Sequence, residues 1–389
     1  MFSIHMILLR RSLPLKLGFC GIALFLAPGP GGAVAGPVRV YFGTYTGGKS
    51  RGIYVSEFDA ADGKLSPPEL AAETKDPSFL ALHPGRPVLY AVSETVDTNG
   101  QRTGAVAAFA IDRPTGKLTF LNRQACGGAG APCHLAVDRA GQCVLSANYN
   151  SGCIAALPLL PDGRLGGPGA LIQHHGASLN PQRQAGPHAH FILPDPANRF
   201  VLTCDLGLDK VIVYRLGAGS LLEPPTFAGV KPGSGPRHLA FDPTGQFVYV
   251  INELSSTLDV FAYAAGQGSL APVQTVSTLP EGFQGANSAA EVQVHPSGKF
   301  VYGSNRGHDS IVIFAADSAS GKLTLVGHEP SQGKTPRHFT FDPSGHWLLA
   351  ENQDSGNVVV FRVDARTGRL TPTGQVVPVG SPVCALFVQ

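Results

Sequence analysis

Short apolar stretches separated by turn residues run along most of this chain, and one phrase recurs. It reads "HLAFDPTGQFVYVINELSSTLDVFAY" from His238. It consists of an apolar strand, an Asp-Pro-x-Gly turn, a second apolar strand ending on Asn, a polar gap and a third strand. A Gly-Lys-Leu or similar turn then leads into a fourth, outer strand. Repeats of roughly 40–50 residues with four strands each are typical of β-propeller blades.

Other copies of the phrase determine the number of blades. Close copies begin at His134, Glu291 and His338, and looser ones at Phe79 and His190. The segment "VRVYFGTYTGGKSRGIYVSEFD" matches only the second and third strands, and the final "SPVCALFVQ" matches only the missing first strand. We therefore expect an all-β, seven-bladed propeller of four-stranded antiparallel blades over residues 36–389. Pairing of the N- and C-terminal strands in one blade would close the ring and remove its exposed edges.

The N-terminus has the pattern of an export signal. Arg10, Arg11 and Lys16 precede the apolar run "LGFCGIALFLA", and small residues follow up to Ala35. This arrangement predicts a signal peptide over residues 1–35, cleaved near Ala35, and an exported protein that is periplasmic or secreted. We find no other stretch apolar enough to predict a membrane span.

Composition narrows the range of functions. The chain has 389 residues, of which 43% are hydrophobic and only 14% charged, with 48 Gly and 32 Pro and a net charge of +2. Abundant Gly and Pro suit many short strands joined by tight turns. A nearly neutral chain without basic clusters gives no reason to expect a nucleic-acid partner.

The repeat is expected to bring ionisable side chains together at the propeller axis, because the first strand of each blade lines the central channel. Aligned on the phrase, one ring of channel positions comprises Phe79, His134, His190, His238, Glu291, His338 and Cys384. Just before this ring lie His188, Arg237 and Arg337. Since alternate residues of a strand share a face, His188 and His190 are expected to point the same way.

The ends of the second strands separate structural from functional positions. A near-constant Asn or Asp ends these strands, at Asn148, Asp205, Asn252, Asn305 and Asn352, which we interpret as turn-stabilising residues. The next residue varies, and Glu253 and Arg306 are the unusual examples. Convergent charged groups in one concavity predict a small-molecule site.

Several motifs carry a family resemblance over nearly the whole mature chain. They are "QHHGASLNPQRQAGPHAH", "GPRHLAFDPTGQFVYVINEL", "SNRGHDSIVIF" and "TPRHFTFDPSGHWLLAENQDS". They resemble the seven-bladed lactonases, which include propeller 6-phosphogluconolactonases and the related carboxy-cis,cis-muconate cycloisomerase. The resemblance implies opening of a lactone ring, or its closure in the cycloisomerase branch, without a required cofactor.

Site residues follow from the same motifs. The resemblance places the catalytic groups on His188, Arg237, Glu253 and Arg306. Further substrate-binding candidates are His190, His134, His238, Glu291, His338, Arg337 and Arg183. We expect a lactone or sugar-acid ligand, with Glu253 preferred over His188 as the base and the arginines binding the oxyanion.

Other interpretations of the same residues stay open. The histidines could hold a metal ion, although nearby arginines would repel a cation. The propeller could also be an exported binding module without catalysis, since a fold does not establish an activity. A Gly-x-Ser-x-Gly motif is not found, which disfavours a serine nucleophile. The oligomeric state and the particular lactone are not determined by the sequence.

Overall fold

The structure is a computed structural model that describes Met1 and residues 38–96, 102–126, 131–167 and 169–388. Across these ranges the regular elements are all β-strands. No helix in the described part of the chain is long and apolar enough to cross a membrane. The predicted signal peptide, residues 1–35, lies outside the described residues except for Met1, so cleavage and the limits of the domain stay predictions.

The two ends of the described chain share one sheet, here called the closing blade. Its strands are β1 (Val38–Thr44), β2 (Gly52–Asp59), β3 (Lys64–Leu65), β4 (Glu69–Glu73) and β29 (Pro382–Val388). The strand β29 is innermost and pairs antiparallel with β1, from Arg39 opposite Val388 to Thr44 opposite Pro382. The closure predicted from the two incomplete copies of the phrase is therefore confirmed.

Six further sheets complete the ring, each with four antiparallel strands in chain order from the axis outward. Blade 1 comprises β5 (Leu80–Leu82), β6 (Val88–Val96), β7 (Arg102–Ile111) and β8 (Leu118–Ala125). Blade 2 comprises β9 (Pro132–Val137), β10 (Cys143–Asn148), β11 (Cys153–Pro158) and β12 (Ala170–Gln173). Blade 3 comprises β13 (Ala189–Pro194), β14 (Phe200–Asp205), β15 (Lys210–Leu216) and β16 (Leu221–Gly229).

The remaining blades repeat this plan. Blade 4 comprises β17 (Pro236–Phe241), β18 (Phe247–Asn252), β19 (Thr257–Ala264) and β20 (Ser269–Ser277). Blade 5 comprises β21 (Ser288–Val294), β22 (Phe300–Arg306), β23 (Ser310–Ala316) and β24 (Leu323–Pro330). Blade 6 comprises β25 (Pro336–Phe341), β26 (Trp347–Asn352), β27 (Asn357–Val363) and β28 (Leu370–Pro378). The predicted seven-bladed propeller is confirmed.

The Asp-Pro-x-Gly turns connect the first and second strands through the same hydrogen bonds in several blades. In blade 4, Asp242 Oδ1 accepts the Phe247 N–H at 2.7 Å, and in blade 6 Asp342 Oδ1 accepts the Trp347 N–H at 2.8 Å. The turn glycine Gly245 has a φ of 70°, a left-handed conformation that glycine adopts without strain. The repeated Asp and Gly therefore hold the inner hairpin in a fixed register.

Neighbouring blades are joined by buried apolar contacts and by a recurring tyrosine. Tyr249 of blade 4 donates to the carbonyl oxygen of Gly321 in blade 5 at 3.3 Å, and Tyr302 of blade 5 donates to that of Gly368 in blade 6 at 2.6 Å. Around these bonds, side chains of adjacent blades form continuous apolar clusters. Each blade thus buries its faces against its neighbours, and the inner strands are fixed around the axis.

The constant Asn at the end of the second strand proves structural in three blades. The side-chain amides of Asn148, Asn305 and Asn352 donate to the backbone carbonyls of Cys126, Thr278 and Ser331 at 2.7–3.2 Å. Each bond ties the second strand of a blade to the segment that follows the outer strand of the preceding blade. Asn252 differs because its amide donates to the Thr257 and Asp259 side chains.

Candidate active site

Bulges in the inner strands decide which side chains enter the central channel. The pairing register shifts by one residue near the start of β9, β13, β17 and β25. The extra residues are Cys133, His190, Arg237 and Arg337. A bulge lets two consecutive side chains lie on the same side of a strand. Arg237 and His238 therefore both line the axial cavity, as do Arg337 and His338.

The bulge in β13 shows that one member of the predicted ring of channel positions, His190, is wrong. Pairing places Phe191 opposite Cys204, the position that His238 occupies opposite Ile251. His190 corresponds instead to Arg237. The observed ring is Phe79, His134, Phe191, His238, Glu291, His338 and Cys384. Ring centroids of His134 lie 4.1 Å from Phe79 and 4.0 Å from Phe191, which places Phe191 in this layer.

His188 and His190 meet the same aromatic ring, although the strand does not run regularly between them. Tyr149 stacks on His188 with centroids 4.4 Å apart and meets His190 edge-on at 5.5 Å. The His188 Nδ1 lies 2.9 Å from the Tyr149 carbonyl oxygen, which can only accept a hydrogen bond. Nδ1 therefore carries the proton, and in the neutral ring Nε2 is left as an acceptor.

Glu253 is the centre of the predicted catalytic group. Its Oε2 accepts hydrogen bonds from Arg306 Nη2 at 2.8 Å and Arg237 Nε at 3.1 Å, and its Oε1 from Arg183 Nη2 at 2.5 Å. Arg183 lies on the connection between β12 and β13 and also donates to the Tyr149 hydroxyl. Four predicted residues from three separate motifs thus meet in one cluster.

Exposure falls from the rim of this cluster toward the axis. The Arg183 side chain is 38% exposed and that of Arg306 14%, whereas Glu253 is 7% and Arg237 3% exposed. Arg306 is also held by the backbone carbonyls of Ser288 and Ala289. The guanidinium groups are therefore oriented before any ligand arrives.

Burial and the arginines act in opposite directions on the Glu253 carboxyl. Burial favours its neutral form, but the charges of Arg306 and Arg237 outweigh this and hold its pKa well below the usual value. Burial likewise lowers the pKa of Arg237 to about 9, with Arg306 and Arg337 adding to the effect. Glu253 is therefore ionised at neutral pH and is a weak base.

A second polar group lies across the channel mouth, in the closing blade and blades 1 and 6. Arg337 Nη2 donates to the Tyr45 hydroxyl at 3.1 Å, with its guanidinium over the Tyr45 ring. Ser78 donates to Glu94, which also contacts Tyr45. Tyr45 and Glu94 were not among the predicted site residues. Aligning Thr44 with the constant Asn identifies Tyr45, because it then falls on the variable position that Glu253 occupies in blade 4.

The other predicted residues lie one layer deeper, below the arginines. His238 Nδ1 lies 2.8 Å from Glu291 Oε2, and His338 Nδ1 lies 2.7 Å from Glu351 Oε2. His134 packs between two phenylalanines, and its Nδ1 accepts the Ile192 N–H at 3.3 Å. A ligand would reach this layer only past the guanidinium groups, so a substrate-binding role for these residues remains a prediction.

Protonation of this deep layer should affect stability. Burial lowers the pKa of His134 well below 6.5, with Arg237 and His338 adding to the effect. Below about pH 6.5 the unfolded chain binds a proton that the folded imidazole does not, so stability falls as pH falls. We expect His134→Phe to make that decline shallower between pH 6.5 and 4.5, by up to about 1.4 kcal/mol per pH unit in urea titrations.

Two buried carboxyl groups have the opposite effect on the pH dependence of stability, and a control variant tests the prediction. Burial raises the pKa of Glu291, to about 7, and that of Glu351. These two carboxyls therefore make the folded protein less stable as pH rises. Both are present in wild type and variant, so they do not change the difference between the two. His175→Phe changes an exposed histidine and should leave the slope unchanged. Equal slopes for His134→Phe and wild type would mean that His134 does not titrate on unfolding.

Metal ligation was an open interpretation of the histidines. Within the described ranges, no group of three or more His, Cys, Asp or Glu side chains is placed to hold a metal ion. The neighbours of His190 carry charges of both signs: Arg237 lowers the pKa of its imidazole, as burial does, and Glu253 raises it.

Comparison with known proteins identifies relatives over most of the chain. The family model "Lactonase, 7-bladed beta-propeller" matches residues 39–387. A Bacillus subtilis 6-phosphogluconolactonase is 40% identical over 302 residues, covering 78% of this chain and 84% of the relative. A Formosa agariphila 6-phosphogluconolactonase is 34% identical, covering 78% and 86%.

A solved structure is similar over almost the same extent. The Pseudomonas aeruginosa periplasmic gluconolactonase is 35% identical with a TM-score of 0.84, and the match covers 90% of this chain and 99% of that one. Sequence and fold thus agree on the same group of proteins.

Proposed function

Since the chain belongs to the seven-bladed β-propeller lactonase family, we propose that it hydrolyses a sugar-type lactone at the mouth of its central channel. Water would add to the lactone carbonyl, and the product would be the open-chain hydroxy acid. The residues around Glu253 would provide the charge that this reaction needs.

The arginine cluster is the observation that carries this proposal. Three guanidinium groups converge on the single carboxylate of Glu253, and Arg337 lies near enough for Glu253 to act on its charge. Four cations around one ionised carboxylate leave a net positive site. Such a site suits the oxyanion of the tetrahedral intermediate and the carboxylate of the product.

The geometry changes the role expected for Glu253. A base must have a free lone pair and a pKa near the working pH, whereas Glu253 accepts from three arginines. We propose that Glu253 positions Arg237 and Arg306. His188 then becomes the preferred base, because its Nε2 is the acceptor when Nδ1 donates to the Tyr149 carbonyl.

The proposed steps conserve atoms and charge. His188 Nε2 takes a proton from water while the water oxygen bonds to the lactone carbonyl carbon, and the carbonyl oxygen becomes an oxyanion facing Arg306 and Arg237. Collapse of this intermediate breaks the bond to the ring oxygen. That oxygen must gain a proton to leave as a hydroxyl group.

The substrate is proposed to be an unphosphorylated aldonolactone in an exported setting. The N-terminal pattern predicts export, and the similar Pseudomonas aeruginosa protein is described as periplasmic and as a gluconolactonase. Phosphorylated sugar lactones are expected to be scarce outside the cytoplasm. The site itself would accommodate either kind, since both are polar and become anionic.

A pH-stat assay of aldonolactones tests the proposal. We expect the protein to accelerate acid release from glucono-1,5-lactone above the spontaneous rate, and Arg306→Ala to lower that acceleration at least about tenfold because an oxyanion partner is lost. Arg366→Ala, at an exposed position, is the control and should retain the full rate.

The same assay separates the alternatives. Ligand binding without turnover of any lactone would favour a binding module and reject hydrolysis. Closure of a lactone ring by addition of a carboxylate across a carbon–carbon double bond, without loss of water, would indicate the cycloisomerase type of reaction. Full activity in a folded Arg306→Ala protein would remove Arg306 from the chemistry.

A further inference from the structure

The proposed mechanism leaves the leaving oxygen without a proton donor, and one carboxyl at the channel mouth is still unused. Glu94 is in β6 of blade 1, and Glu253 follows β18 of blade 4. In a ring of seven blades, these positions face each other across the axis. A lactone bound at the axis would therefore have a carboxyl group on each side.

The two carboxyl groups have different partners. Glu253 accepts hydrogen bonds from three guanidinium groups. Glu94 accepts one from the Ser78 hydroxyl and contacts the Tyr45 hydroxyl, which itself accepts from Arg337. Neutral hydroxyl groups stabilise a carboxylate much less than paired cations do. Glu94 is therefore the carboxyl at the mouth that can hold a proton.

Residues that hydrogen-bond each of the two carboxyl groups line the same cavity, Ser78 for Glu94 and Arg237 for Glu253. Tyr45, Ser78, Cys133, Arg237 and Arg337 line it. Arg337 is one of these lining residues, and the charges of both Glu253 and Glu94 act on its guanidinium group. The oxyanion-binding side and the Glu94 side thus belong to a single site rather than to two separate ones.

We propose that Glu94 is the general acid of this site, with a sugar lactone as substrate; this rests on the proposed hydrolase function. As the bond between the carbonyl carbon and the ring oxygen breaks, the electron pair moves to that oxygen and the Glu94 carboxyl gives it a proton. The product is a hydroxyl group. Solvent then returns a proton to Glu94, and His188 releases to solvent the one it took from water.

The electrostatic surroundings agree with this role. Burial raises the pKa of Glu94 and Asp76 adds to the effect, whereas the Ser78 hydrogen bond, Arg337 and Tyr45 act in the opposite direction. Cys133, whose thiol pKa burial raises to about 12, is neutral beside it. A sugar alkoxide is a poor leaving group, so donation by such an acid contributes typically about 10²–10⁴-fold to a rate.

The experiment compares wild type, Glu94→Gln and Ser78→Ala on glucono-1,5-lactone from pH 5 to 8, after subtraction of spontaneous hydrolysis. We expect Glu94→Gln to lower kcat about 100-fold with KM changed less than about threefold, and to remove the fall in kcat toward high pH. Ser78→Ala should keep that fall but move it to higher pH, because it removes a donor that favours the ionised carboxylate.

The outcomes are distinct. Glu57→Gln, an exposed glutamate on β2, is the matched control and should behave as wild type. An inactive wild type would refute the proposed function itself. An active wild type with unchanged kcat in Glu94→Gln, a loss confined to KM, or an unmoved pH profile in Ser78→Ala would refute the role of Glu94 alone. Melting curves establish that each variant is folded, and Ser78→Ala provides the answer if Glu94→Gln is not.

Discussion

Glu253→Gln is expected to lower both stability and lactone turnover, because this one carboxylate pairs with three guanidinium groups at the channel mouth. Removing one partner of a buried ion pair typically costs about 3–5 kcal/mol, since charges remain buried without compensation. Arg237 and Arg306 would also lose their fixed orientation toward the oxyanion, so we expect kcat/KM to fall about 100-fold. Urea unfolding and the pH-stat assay measure the two effects.

Two further variants make this prediction specific. Glu281→Gln removes an exposed carboxylate and should change neither quantity. Glu253→Asp keeps the charge and should recover part of the stability. If Glu253→Gln retained full stability but lost turnover together with the acidic limb of the pH profile, Glu253 would be the base and not a positioning residue.

The fold was predictable because the features that define each repeat are interactions between residues close together in the sequence. The turn Asp accepts a backbone N–H group five residues ahead, and the turn glycine adopts a positive φ. The second strand of blade 4, β18, is mainly apolar and is buried along its whole length. The two incomplete copies at the chain ends had complementary missing strands, and β29 and β1 indeed pair. Local patterns therefore specified both the blade and the way the ring closes.

The site was less predictable because its layers depend on bulges, which a strand alternation pattern does not contain. His190 was placed in the ring by its residue type, whereas counting back four residues from the turn Asp195 selects Phe191, as counting from Asp242 selects His238. For aligning the first strands of the blades, the hydrogen-bonded turn was a better reference point than the histidine. The structure also puts His190 level with Arg237, next to the predicted catalytic group.

The charge states of the two carboxyl groups at the channel mouth could not be predicted from the sequence, for a different reason. Glu94 and Glu253 occupy the same position in their blades, yet burial raises the pKa of one and arginines lower that of the other. Arg306 and Arg183 reach Glu253 from blade 5 and from the connection between β12 and β13, so the sequence around Glu253 does not reveal them. This difference in environment supports the different roles proposed for the two carboxyl groups, Glu253 positioning the arginines and Glu94 donating a proton.

Deleting residues 381–389 is expected to abolish the cooperative fold. This deletion removes β29, the inner strand of the closing blade, which forms six residue pairs with β1 and buries Val383, Cys384 and Ala385. Burial of each apolar side chain contributes up to about 1–3 kcal/mol, and domains are stable by only about 5–15 kcal/mol. The edge of β1 and the sides of blades 1 and 6 would be exposed, so we expect aggregation and no sharp thermal transition.

A peptide of residues 381–389 added in trans distinguishes loss of this strand from a general effect of shortening the chain. It should pair with the free edge of β1 and restore the transition and the lactone turnover, since Cys384 completes the ring around the channel. A scrambled peptide of the same composition lacks the alternation that places Cys384 opposite Gly43 and should restore neither. A truncated protein that melts as sharply as wild type would mean that the ring is stable without closure.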